Sequence, residues 1–137
     1  MSREDIEVIQ RGYDAWNRGD LEGVRAIYAP HITANAGALW PAAGEVHGPD
    51  AIIDAFASIF ASFERTELVP EEFIERDEAI FVPTCWRGTL PDSDSAIEQR
   101  LIAVYTVRDG QVDSIRYFHG MDEAIGAVRA AEGQRSG

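Results

Sequence analysis

The stretch EQRLIAVYTVRDGQVDSIRYFH (98–119) decides the fold of this chain. Apolar side chains alternate with polar ones along much of 98–108 and 111–119, and this period of two is typical of β-strands. Asp109-Gly110 lies between the two runs, and an Asp-Gly pair there is a strong signal for a tight hairpin. The stretch therefore predicts two antiparallel strands.

Helical spacing dominates the chain before these strands. A first helix is predicted to end near Gly19, a short second helix ends at Pro30, and Pro49 favours the start of a third. Strands are predicted near 31–36, 66–75 and 78–90, and a last helix over 122–131. Helices that come first and strands that follow indicate an α+β fold with helices on one sheet face.

The strand over 98–108 is apolar on both faces. Its odd positions Leu101, Ala103, Tyr105 and Val107 form one row, and this row is expected to face the helices. Ile102 and Val104 lie on the other face. A second apolar row predicts a homodimer packed through the outer face of the sheet.

Length and charge limit the function. The 137 residues suffice for one domain, assigned to 1–132, with a frayed tail over 133–137. The net charge is −12, because the chain has 24 acidic residues and only 12 Lys and Arg. Nucleic acid and an anionic membrane are therefore not expected partners.

The expected compartment is the cytoplasm. The N-terminus has no apolar segment typical of a secretory signal, and no apolar run approaches the ~18 residues of a membrane span. Cys85 is the single cysteine, so no internal disulfide can form. These features favour a reducing environment.

Three segments carry a resemblance to a known family. They are YDAWNRGDLEGVRAIYAP (13–30), GEVHGPDAIIDAFA (44–57) and VRDGQVDSIRYFHGMDEAI (107–125). In this order and spacing they resemble the SnoaL-like branch of the nuclear-transport-factor-2-like superfamily. The resemblance implies a cone-shaped α+β barrel, in which a curved antiparallel sheet wraps around the helices, with a pocket at the wide end and often a dimer through the sheet. The superfamily includes isomerases, epoxide hydrolases, polyketide cyclases, dehydratases and non-catalytic binders, so the fold alone does not assign a function.

The acids used by these relatives are missing here. Ala36 occupies the position of the isomerase aspartate, and Ala34 and Ala36 occupy the water-binding positions of epoxide hydrolases. The aspartate that cyclases and hydrolases share on the last strand falls on Tyr117. A phenol is a poor base near neutral pH but a usable hydrogen-bond donor.

The family register predicts an aromatic pocket. His119 and Tyr117 are the candidate catalytic residues, since His119 alone among the residues expected there titrates near neutrality. The candidate substrate-binding residues are Trp16, Trp40, Phe56, Phe60, Trp86, Leu101, Tyr105 and Ile115. Trp40 lies in the weakly charged stretch over 33–48, which the family places at the pocket mouth. No cofactor is expected, and the three histidines lack metal-ligand spacing.

Two interpretations follow. In the first, the protein performs cofactor-free acid–base chemistry of the cyclase, isomerase, dehydratase or hydrolase type on a small hydrophobic, aromatic or polyketide-like molecule. In the second, it is a non-catalytic ligand-binding or structural dimeric module that has lost the family acids. The missing acids favour the second, and the retained His119 and Tyr117 support the first.

Overall fold

The structure is a computed structural model and describes residues 2–35, 45–92 and 95–136. The helices are α1 (Ser2–Asn17), α2 (Leu21–Arg25), α3 (Pro49–Ser62) and α4 (Met121–Ser136). The strands are β1 (Tyr28–Asn35), β2 (Glu45–His47), β3 (Arg65–Pro70), β4 (Ile74–Arg76), β5 (Ala79–Thr89), β6 (Ala96–Arg108) and β7 (Gln111–Phe118). None of these helices is long and apolar enough to cross a membrane.

Local chemistry sets the helix starts. The Asp20 carboxylate accepts the backbone N–H of Gly23 at 2.9 Å, so it caps α2 as a short polar side chain is expected to do. Pro49 occupies the start of α3, where its missing N–H is not needed. Gly48 precedes it with a φ of 88°, a left-handed conformation that glycine adopts at little steric cost.

The strands form one curved sheet in the order β2-β1-β7-β6-β5-β3, with β4 paired to β5. This confirms the α+β cone, but the sheet is mixed where an antiparallel sheet was expected. β1 runs parallel to β7, and Ala34 pairs with Ile115. The sheet does not close into a complete barrel.

The hairpin between β6 and β7 is confirmed. Arg108 pairs with Gln111, so Asp109 and Gly110 form the whole loop. Their φ angles are 54° and 77°, and positive values at both positions are typical of the turn that matches strand twist.

The main core lies between the inner sheet face and helices α1 to α3. The alternation predicted for β6 holds, because Leu101, Ala103 and Tyr105 are all buried in this core. Trp16 of α1 meets the rings of Phe56 and Phe60 of α3 edge-to-face, at centroid distances of 4.9 and 4.8 Å. These contacts fix α1 and α3 against each other.

A second core occupies the outer sheet face. Helix α4 packs Ala124 and Val128 against Phe81 of β5 and Val104 of β6. Val104 is only 1% exposed, so its side chain is not available for contact with a second subunit. The argument for a homodimer from Ile102 and Val104 was therefore wrong, since α4 of the same chain supplies the partner; the dimer itself stays a prediction.

Three element boundaries differ from the sequence prediction. β1 begins at Tyr28 and includes Pro30, which was expected only to end a helix. The strand predicted over 66–75 is two strands, β3 and β4. Helix α4 extends to Ser136, five residues past its predicted end at 131.

Candidate functional site

The cone interior contains a small cavity beneath the helices. Its walls are supplied by α1, α2, α3 and the inner sides of β1, β3, β6 and β7. The volume is about 20 Å³. A cavity needs roughly 10–15 Å³ to hold one water molecule, so this one is the size of a single water.

A chain of hydroxyl groups runs beside this cavity. The hydroxyls of Tyr13 and Thr84 lie 2.7 Å apart, and the Thr84 hydroxyl donates to the carbonyl of Val82 at 2.8 Å. A threonine hydroxyl has one proton, so Tyr13 must be the donor to Thr84. The ring of Tyr105 lies beside that of Tyr13, at a centroid distance of 6.1 Å. The hydroxyl chain therefore links α1 to β5 through buried polar contacts.

The tyrosines of this interior are neutral. Burial, opposed in part by the hydrogen bond with Thr84, raises the pKa of Tyr13 to about 12. Burial also raises the pKa of Tyr28, Tyr105 and Tyr117 above the usual 10, because an anion would lose its hydration there. The interior therefore presents protonated hydroxyls, which donate hydrogen bonds and do not act as bases near neutral pH.

Five predicted site residues come together at the cavity. They are Trp16, Phe56, Tyr105, Ile115 and Tyr117. The helical spacing of α1 and the alternation of β6 and β7 direct them inward, as the sequence predicted.

Three other predicted residues lie in the core without lining the cavity. Leu101 is fully buried, and Phe60 packs on Trp16. Trp86 donates its Nε1–H to the hydroxyl of Thr66 at 2.6 Å and contacts Phe63 edge-to-face. Trp40 lies outside the residues that the structure describes.

His119 is not brought to the cavity. It follows Phe118, the last residue of β7, and its side chain is exposed. Tyr117 is 6% exposed and lines the cavity, so the proposed pair is divided between the surface and the interior. The catalytic role of His119 stays a prediction.

Sequence reasoning missed the residues that complete the interior. Tyr13 and Tyr28 were not among the candidate site residues, and both line the cavity. Thr84, whose hydroxyl lies 2.7 Å from that of Tyr13, was not among them either. The positions of Tyr13 and Trp16 three residues apart, on one helix face, could have suggested the connection.

The described cavity lining holds no acid and no histidine. Ala34, one of the two positions where relatives bind water, is buried on the inner face at 2% exposure. The cavity can therefore bind and polarise an oxygen atom, but its described walls supply no carboxylate or imidazole to accept a proton.

A wider depression of about 620 Å³ lies near the β4–β5 turn. Four of its charged lining residues form ion pairs: Arg108 lies 3.7 Å from Asp113, and Arg76 lies 3.6 Å from Asp77. Exposed ion pairs of this kind are typical of a solvated surface. The interior cavity is therefore the better candidate site.

The SnoaL-like domain family matches residues 9–115 of this chain. The match covers most of the sequence and every described cavity-lining residue except Tyr117. The chain therefore belongs to the SnoaL-like family. No curated protein sequence matches the chain.

Solved structures share the fold at low sequence identity. A nuclear-transport-factor-2-like protein of unknown function from Burkholderia pseudomallei is 23% identical, with a TM-score of 0.73 over 91% of this chain and 97% of its own. A candidate SnoaL-like polyketide cyclase from a Jannaschia species is 22% identical, with a TM-score of 0.70 and coverage of 92% of each chain. The protein TerC, co-crystallized with polyporic acid, is 19% identical, with a TM-score of 0.73 over 92% of this chain and 98% of its own.

Proposed function

We propose that this protein binds a small aromatic or polyketide-like molecule in the cone interior, with tyrosine hydroxyls as hydrogen-bond donors to a ligand oxygen. The single observation that carries the proposal is the set of neutral tyrosine hydroxyls, those of Tyr28, Tyr105 and Tyr117, around a cavity in an otherwise apolar interior. Ligand sites commonly combine apolar walls with a few convergent polar groups. The cyclase-like structure and the structure with polyporic acid support the same class of ligand.

The donors determine the chemistry. A phenol that stays protonated can hydrogen bond to a carbonyl, enol or phenolate oxygen and draw electron density toward it. This polarisation makes a neighbouring C–H more acidic, which is a first step in isomerase and cyclase reactions. A complete reaction also needs a base, and the described cavity lining has none. The geometry therefore favours binding and polarisation over a full acid–base cycle.

Ligand size requires a rearrangement. Drug-sized ligands occupy pockets of roughly 300–1,000 Å³, whereas the interior cavity measures about 20 Å³. Phe56 and Phe60 both contact Trp16 across the α1–α3 interface. We expect ligand binding to separate these rings, because their edge-to-face contacts occupy the space between the two helices.

Titration with a panel of hydroxylated quinones and naphthols, including polyporic acid, tests the proposal. Binding is followed by nuclear magnetic resonance shifts of the interior residues. Tyr105→Phe should weaken binding by about tenfold, since one hydrogen bond contributes ~1–1.5 kcal/mol. Thr106→Val is the matched control, because it removes a hydroxyl from the next position of β6, which bonds Ser114 at 2.6 Å outside the cavity.

A second candidate function is supported by the filled interior. A cavity the size of one water is also expected of a module whose interior serves stability alone. In that case no member of the panel shifts the interior resonances at millimolar concentration, and Tyr105→Phe changes only stability. That result would overturn the ligand-binding proposal.

The homodimer is retained as a proposal on the part of the outer face that α4 leaves open. Val69 of β3 is 48% exposed there, and it pairs with Cys85 of β5. Sedimentation of Val69→Lys against the wild-type protein tests this surface. A wild-type monomer at micromolar concentration would contradict the dimer.

A further inference from the structure

Trp16 carries a polar group without a partner. Its side chain is 2% exposed, and its Nε1–H is buried with no hydrogen-bond acceptor among the described residues. An indole N–H can only donate, so it cannot be satisfied by a neighbouring donor. Buried polar groups are nearly always paired, and an exception calls for a specific explanation.

The neighbouring interior groups have partners. Trp86, the other described tryptophan, donates to Thr66, and Tyr13 donates to Thr84. The side chain of Asn17, the residue after Trp16, makes two bonds to the backbone of Leu68, both at 2.8 Å. The described residues contain one other buried side-chain atom without a hydrogen bond, Oδ2 of Asp77, and it has ion-pair partners in Arg76 and Arg129 at 3.6 and 3.8 Å. Trp16 Nε1 is therefore the unpartnered group that belongs to a residue lining the cavity.

The cavity explains the exception. Trp16 lines the cavity together with Tyr13, Tyr105 and Tyr117. The cavity volume of about 20 Å³ suits one oxygen atom with its hydrogens. We infer that this cavity is a binding position for a single oxygen, held by the Nε1–H of Trp16. We call it the Trp16 oxygen site: water occupies it in the free protein, and a phenolic or carbonyl oxygen of the ligand replaces that water.

The second half of this inference rests on the proposed function. It adds a specificity determinant, since Trp16, Tyr105 and Tyr117 offer donors at the cavity, whereas the proton of Tyr13 is given to Thr84. Such a site selects ligands with an acceptor oxygen and disfavours ammonium groups, which bring only further donors. The expected ligand class is an aromatic phenol, enol or ketone.

The water is tested without any ligand. A high-resolution crystal structure of the wild-type protein should show an ordered water within hydrogen-bond distance of Trp16 Nε1. An indole N–H directed at the ring of Phe56 or Phe60, with no density beside it, would overturn the inference, because a weak N–H···π contact would then satisfy the group.

The ligand oxygen is tested with a matched pair of compounds, 1-naphthol and naphthalene. Wild-type protein should bind 1-naphthol about tenfold more tightly, the effect of one hydrogen bond. Trp16→Phe should remove most of that preference while it keeps the affinity for naphthalene. A preference that survives in Trp16→Phe would overturn the assignment of Trp16 as the donor.

A variant that preserves the ring size at position 16 controls for misfolding of Trp16→Phe. Benzothienylalanine at position 16 replaces the N–H with sulfur and leaves the bicyclic ring in place, so it should lose the preference for 1-naphthol and keep the fold. Equal binding of both compounds by the wild-type protein overturns the ligand part of the inference but leaves aromatic binding intact. If neither compound binds, the proposed function fails, and the crystallographic water still decides the Trp16 oxygen site.

Discussion

The hydroxyl of Tyr13 on α1 lies 2.7 Å from the hydroxyl of Thr84 on β5, and this buried contact joins residues 71 positions apart. It ties the first helix to the middle of the sheet through a donor and an acceptor that both belong to buried residues. Removal of only one partner of such a hydrogen bond destabilises the fold, because the other polar group stays buried without a partner.

Thr84→Val should destabilise the protein by about 1–3 kcal/mol, because it leaves the Tyr13 hydroxyl without its acceptor. Urea unfolding measures the change in free energy. The double variant with Tyr13→Phe should cost less than the sum of the two single variants, since no orphaned hydroxyl remains. Strictly additive effects would show that the two hydroxyls do not interact.

High pH should unfold the protein before its tyrosines ionise. The chain has four tyrosines, all buried, and the pKa of Tyr13 is raised to about 12. Stability is therefore full below pH ~10, where an unfolded tyrosine begins to ionise, and falls as pH rises toward 12, because the unfolded chain releases protons that the native state keeps. Tyr13 alone accounts for about 2–3 kcal/mol of this loss.

Tyrosinate absorbance checks this expectation. It should stay flat in the native protein beyond pH ~10 and then rise together with the loss of circular dichroism. In concentrated urea the same absorbance should rise near pH ~10. Ionisation of a folded protein near pH ~10 would contradict the burial of these four side chains.

Val104→Lys should unfold the protein instead of separating a dimer. Val104 is 1% exposed between β6 and α4, so the substitution places a charge without a partner in an apolar cluster. The expected loss is about 3 kcal/mol or more. Ile97→Lys is the control at a 45% exposed position of the same strand and should change the unfolding free energy by less than ~0.5 kcal/mol.

Gly88→Ala should also destabilise the fold. A Cβ at this position of β5 would lie 2.7 Å from the ring of Trp86 and 2.8 Å from that of Phe63, and these two rings pack against each other. Overpacking of this kind costs about 1–3 kcal/mol. Gly126→Ala in α4 meets no atom within 4 Å and should instead stabilise the helix by up to ~1 kcal/mol.

His119→Ala tests the catalytic role of His119 without an expected effect on folding. The side chain is exposed, so its removal should change stability by less than ~0.5 kcal/mol. If His119 is a general acid or base, turnover of any substrate found by screening should fall by at least ~100-fold. Unchanged turnover would end its assignment as a catalytic residue.

Much of the fold could be predicted because local chemistry agrees with it. Asp109-Gly110 adopts the turn that its sequence favours, and the inner row through Tyr105 is buried as its alternation indicates. The break between β3 and β4 was missed, although Pro70 ends β3. Only the separate pairing of the two strands with β5 reveals it.

The placement of some candidate site residues could be predicted for the same reason. Strand alternation put Tyr105, Ile115 and Tyr117 on the inner sheet face, where they line the cavity, since the side-chain period of a strand is fixed. It failed for His119, because β7 ends at Phe118 and the alternation does not continue past it. Helix α4 over Val104 could not be anticipated either, because alternation identifies an apolar face without showing which element covers it.

The parallel pairing of β1 with β7 has a consequence for how the chain folds as it is synthesised. Residues 28–35 reach their place in the sheet only beside residues 111–118, and until then the three-residue β2 is the only other described strand that pairs with them. Ile32 and Ala34 are both buried in the final core, and β1 therefore cannot take its place in the sheet until residues 111–118 have left the ribosome. Long-range strand pairing of this kind slows folding, and it leaves apolar side chains accessible to chaperones until the pairing has formed.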